Sequence, residues 1–129
     1  MPRGPGAHYR EADGSPVALP EAEAAWALVA RAVLIETAQA KRSISYKALA
    51  EAVQQGAGIR TRMLFRWWVG DVLTLVGDEC ERRGEPQLAA LCVRQDGSIG
   101  AGFGEGESSA DREVRAGEER ERCYRHFGP

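Results

Sequence analysis

Residues 41–94 constrain the fold more than any other stretch, because helical and strand signals occur there in one particular order. Ser43 to Ser45 form a short lead-in, and Ser45 is placed to cap a helix over residues 46–53. Residues 54–58 then carry two glycines and read as a turn. A longer helix is expected from Thr61 to about Arg83, where Phe65, Trp68, Val69, Val72 and Val76 recur at helical spacing. Gly84 and Pro86 stop it. Residues 88–94 read as a strand, Gln95-Asp96-Gly97 as a tight turn and residues 98–103 as the return, giving a hairpin over about 88–103.

The flanks add less. Residues 1–19 are rich in proline and glycine among polar residues and are expected to form a flexible arm. Pro20 suits a first helical turn, and Trp26, Val29, Ala30, Val33, Leu34 and Thr37 mark a core helix through Ala40. Residues 111–127 have helix-forming composition with both charge signs, so a last, exposed helix is expected to touch the body through Val114, Tyr124 and Phe127. The expected fold is therefore α+β: a single winged helix-turn-helix domain over 20–129, with an N-terminal arm and an extra C-terminal helix.

That order makes double-stranded DNA the first partner to weigh, although the net charge of −2 opposes indiscriminate binding to phosphates. The charge is segregated. Residues 41–66 hold six basic side chains against Glu51 alone, a local balance of +5, whereas the stretch from Glu105 to the end holds seven acids and five arginines. A basic patch on an acidic body is the expected footprint of a modest DNA binder.

Helical phase separates the adjacent tryptophans, since neighbouring positions diverge by about 100 degrees. Trp68 falls on the apolar stripe and is expected in the core, leaving Trp67 to project with Arg60, Met63 and Asp71. An exposed tryptophan beside arginines can stack on a base or wedge into a duplex. Arg60, Thr61, Arg62 and Arg66 lie where the second helix of such a domain would meet the major groove, as base-reading forks or phosphate grips. Tyr46 and Lys47 open the preceding helix, whose N–H groups favour an anion, and Arg94 and Gln95 sit at the hairpin tip.

No catalytic constellation stands out: there is no nucleophile with an evident histidine partner and no compact carboxylate set. The glycine-rich run 100–106 precedes no immediate helix and reads as a turn or bulge rather than a nucleotide loop. Cys80, Cys92 and Cys123 are odd in number and widely spaced, so reduced thiols are expected and neither a metal nor a cofactor is. Lacking a secretory layout and a long apolar run, the chain is expected to be cytoplasmic and without membrane contact, and nucleoid-associated through its DNA partner. A monomer is expected, since no clean apolar face remains once the core is assigned.

Two resemblances sharpen this reading. The segments Ser45-Tyr46-Lys47-Ala48-Leu49-Ala50, Val69-Gly70-Asp71-Val72-Leu73 and Asp96-Gly97-Ser98-Ile99-Gly100 resemble the DNA-binding half of O6-alkylguanine alkyltransferases and alkyltransferase-like proteins. In that family a cysteine accepts the alkyl group. Its place falls here on Ala89, followed by Ala90 and Leu91, so the resemblance implies binding without alkyl transfer. Trp67 takes the place of the family's base-displacing arginine, and Tyr46 matches a tyrosine near the target phosphate. The segments 46–50, 84–88 with Leu91 and Val93, 100–103, and the charged helix ending in Tyr124 and Phe127 are similar to small bacterial winged-helix proteins, stand-alone or fused to HNH nucleases. Some of those are thought to read 5-methylcytosine, which is the function this resemblance implies. A lesion sensor of the alkyltransferase-like kind and a protein-interaction module are the alternatives.

Overall fold

The computed structural model describes residues 7–100 and 108–128. Among these the architecture is α+β: four α-helices, two short two-stranded sheets and two 3-10 turns. The first helix, α1 (Leu19–Gln39), takes its start from Pro20 and runs through the middle of the molecule, burying Ala22, Trp26, Ala30, Leu34 and Ala38. Against it pack α2 (Tyr46–Ala57), α3 (Val69–Arg83) and α4 (Ser109–Phe127). Trp26 is the hub of this core. Its ring lies 4.4 Å from that of Trp68, and its indole N–H donates to the Ile59 carbonyl at 2.9 Å.

Helix α2 is capped as expected, with the Ser45 hydroxyl accepting the Ala48 N–H at 3.1 Å. It does not end at Val53. It continues to Ala57 and stops at Gly58, which adopts a left-handed φ of 68°. Gly56, expected to mark a turn, instead lets two helices approach: a Cβ there would lie 2.7 Å from Cγ1 of Val29.

The expected flexible arm over 1–19 is corrected for its described part, residues 7–19. Strand β1 (His8–Arg10) pairs antiparallel with β3 (Ile59–Thr61), His8 opposite Thr61, and Val17 is buried. This pairing explains why the second long helix does not begin at Thr61. The chain runs as strand to Thr61, turns through a 3-10 turn at Phe65–Trp67, and becomes α-helical only at Val69. Trp68, with a φ of −133°, is the break. From there the apolar stripe is as expected, with Trp68, Val69, Val72, Val76 and Cys80 buried and Gly84 closing α3 in the left-handed region.

Residues 88–91 are expected to be strand but form a 3-10 turn (Leu88–Leu91), because α4 holds the backbone at Ala90 and at Gln87 just before the turn. Arg120 donates to the Ala90 carbonyl at 2.7 Å, and the Glu119 carboxylate accepts the Gln87 N–H at 2.6 Å. Only β4 (Cys92–Val93) remains extended, parallel to β2 (Ile44–Ser45). The tight turn after it holds: Gly97 has a φ of 89°, Arg94 N–H donates to Ser98 at 2.7 Å, and Val93 bridges Ile99 antiparallel. The rest of the expected return strand and glycine-rich run lies outside the described residues. Helix α4 is held by Ala116, Cys123, Tyr124 and Phe127, whereas Val114 points to solvent. The three cysteines are free and buried, and burial pushes the thiols of Cys92 and Cys123 up to about 12. Among the described residues no helix is long and apolar enough to cross a membrane.

Candidate nucleic-acid interface

Three segments far apart in sequence converge on one cavity of about 330 Å³, lined by Tyr46, Phe65, Arg66, Val69, Gly70, Arg94 and Gly100. Tyr46 reaches it because Ser45 starts α2 there. Phe65 and Arg66 arrive on the 3-10 turn, and Val69 and Gly70 are the first residues of α3. Arg94 and Gly100 come from the two sides of the tight turn, which α4 steadies by accepting the Ile99 N–H on the Glu113 carboxylate at 2.7 Å. Burial, with Cys92 close by, raises the Tyr46 phenol above its ordinary value, and Arg94 pulls it part of the way back. The tyrosine hydroxyl occupies the space a side chain at residue 100 would need, so Gly100 has to be glycine for Tyr46 to lie as it does.

The floor is thus apolar and aromatic, with two guanidinium groups at the mouth. The first turn of α3 adds backbone N–H groups that no side chain caps, and Gly70 leaves open space beside them. Asp71 in that turn works against an anion. Beside the cavity the turn raises an apolar prow: Leu64 is 54% and Trp67 66% exposed, with Phe65 half-exposed behind them. The prow is well mounted. The Trp68 indole N–H donates to Met63 at 3.3 Å, and the Met63 N–H donates to the Thr61 hydroxyl at 3.1 Å.

The nine residues singled out from the sequence divide in two. Tyr46, Arg66 and Arg94 meet at the cavity, Trp67 flanks it, and Lys47 and Gln95 are exposed neighbours of Tyr46 and Arg94. Arg60, Thr61 and Arg62 are not on a helix; they belong to β3 and the step out of it. Arg60 bonds Glu51 at 3.0 Å and approaches Glu11 at 3.5 Å, and the Glu51 contact foremost raises its pKa. The Thr61 hydroxyl is engaged by His8 at 3.0 Å as well as by Met63. Arg62 lies over the Tyr9 ring at 4.6 Å.

The local charge of +5 is correspondingly diluted. Arg60 is offset, Lys41 lines a different hollow with Glu121 and Arg125, and the outer side of α3 shows Asp71, Asp78 and Glu81. What stays cationic is the mouth itself. Sequence reading missed Phe65, Val69, Gly70 and Gly100 as lining residues. Helical phase puts Phe65 on the core stripe, whereas the 3-10 turn rotates it outward.

No protein-family model, curated protein or solved structure matches the chain.

Proposed function

We propose that this chain is a non-enzymatic double-stranded DNA-binding module of the winged helix-turn-helix kind, with 5-methylcytosine as the feature it reads. In this reading α2 and α3 are the helix pair and the turn from Arg94 to Ser98 is the wing. The observation that carries it is the convergence of Tyr46, Arg66 and Arg94 on an aromatic cavity at the uncapped start of α3, beside the exposed Trp67. The later turns of α3 carry Asp78, Glu79 and Glu81 against Arg82 and Arg83, with no net positive charge for phosphates, so contact falls on the 3-10 turn and the first turn of α3 rather than along the helix.

Such a mouth suits a modified base. Arginine and tyrosine planes cover the added methyl of cytosine in the major groove, and a guanidinium can fork to a neighbouring guanine. One buried methyl contributes about 0.8 kcal/mol, only a few-fold in affinity, so discrimination has to come from enclosure of the base edge. A half-open cavity of about 330 Å³, at the small end of ligand pockets, is large enough to take such an edge.

Fluorescence anisotropy with unmodified, hemimethylated, fully methylated and O6-methylguanine duplexes, each over a range of salt, tests the reading. Preference for methylated cytosine is expected, with a log–log salt slope on the order of −3 for contacts by Lys47, Arg66 and Arg94. Failure to bind any duplex at low salt overturns it in favour of a protein-interaction module. Preference for O6-methylguanine turns it into lesion sensing; Ala89 does not line this cavity but sits half-buried in the Leu88–Leu91 turn.

A further inference from the structure

Helix α1 carries charge only at Glu21, Glu23, Arg31 and Glu36 along its 21 residues, and Arg31 turns to a half-buried ion pair with Glu85 at 2.8 Å. A helix apolar on every side is ordinarily covered on every side. Here α2, α3 and α4 cover most of it, yet Ala24, Leu28 and Ala32 form a line that faces water. Leu28 is 75% exposed, more than any other large apolar side chain described, and Leu75 of α3 stands near it at 40%. Between the two helices runs a groove of about 310 Å³ with a floor of Ala24, Ala27, Leu75 and Val76 and a rim of both charge signs.

We propose that this groove docks a second copy of the chain in a two-fold symmetric dimer. A two-fold interface has to be self-complementary, and this patch carries its own knob and its own hole: Leu28 projects beside a groove large enough to receive the Leu28 of the other copy. The rim carries its own charge match. Asp78 makes no ion pair among the described residues, and Arg82, one turn further on and 68% exposed, is held only by Glu79 of its own helix. Antiparallel apposition of the two α3 helices sets Asp78 of each copy against Arg82 of the other. A uniformly acidic, basic or lipid partner would meet like charge or an unpaired ion on such a rim. The face involves the later turns of α3, whereas the cavity uses its first turn, so a dimer keeps both cavities open whatever they bind.

Sedimentation of the full chain without nucleic acid, from low micromolar to near-millimolar concentration, tests this directly. A monomer–dimer equilibrium is expected. Leu28→Glu should raise the dissociation constant at least about tenfold with the helical circular dichroism unchanged. Asp78→Arg and Arg82→Glu should each weaken the dimer, and the double variant should recover most of the loss. A monomer at every concentration overturns the proposal, as does self-association that Leu28→Glu leaves intact or a double variant no better than the single ones.

Discussion

Strand β3 and the turn that follows it lie within a few residues of each other and use opposite kinds of side chain in opposite ways. In β3 the polar groups are already engaged by neighbours in the fold: Arg60 by Glu51 and Glu11 at the surface, and Thr61 by His8 and Met63. In the turn the apolar groups are left outward, with Leu64 and Trp67 in water beside Arg66. An arginine-rich run is therefore no sure sign of a nucleic-acid contact; a charge already paired within the fold has little left to give a phosphate. Apolar area held rigidly in solvent is the more informative observation.

The contrast is open to direct attack. The largest effect should come from the two adjacent tryptophans. Trp68→Ala, which removes the ring stacked on Trp26, should cost about 3–5 kcal/mol in urea denaturation. Trp67→Ala should leave stability within about 0.5 kcal/mol while weakening duplex binding. Equal stability losses would erase the distinction between core and prow.

Next in size is the division among arginines. Arg66→Ala and Arg94→Ala should each lower affinity by about tenfold and reduce the salt slope by about 1. Arg60→Ala should leave the slope where it was, because its partners are Glu51 and Glu11. A slope that falls with Arg60 would show that β3 faces the nucleic acid after all. Smallest is Thr61→Val, expected to cost about 1 kcal/mol of stability through its lost hydrogen bonds. Duplex affinity should not change, as measured by the same anisotropy titration.

What could be read from residues alone follows the range of the forces involved. The stripe of α3, its stop at Gly84 and the cap at Ser45 are local, and all three were legible. The misread elements depend on distant partners. Strand β1 exists because β3 lies beside it. Helix α2 runs past Val53 because Gly56 nests against Val29. Residues 88–91 coil where α4 grips the stretch from across the fold, Arg120 on the Ala90 carbonyl and Glu119 on the N–H of Gln87 just before the turn. The candidate site divides the same way. Tyr46, Arg66, Trp67 and Arg94 were legible as chemistry; Trp67 is exposed and Trp68 buried as expected, but it is the 3-10 turn and the break at Trp68, not the phase of one continuous helix, that parts them. Nothing near Arg60 in sequence shows that Glu11 lies beside it, and nothing at Gly100 shows that a tyrosine hydroxyl fills the space above it.

The buried stack of Trp26 on Trp68 also has an optical meaning. Two indoles with ring centres 4.4 Å apart share their excited states, whereas Trp67 is 66% exposed and emits from water. The protein thus carries two natural chromophore systems: one that changes when the core comes apart, and one that changes when something settles on the prow.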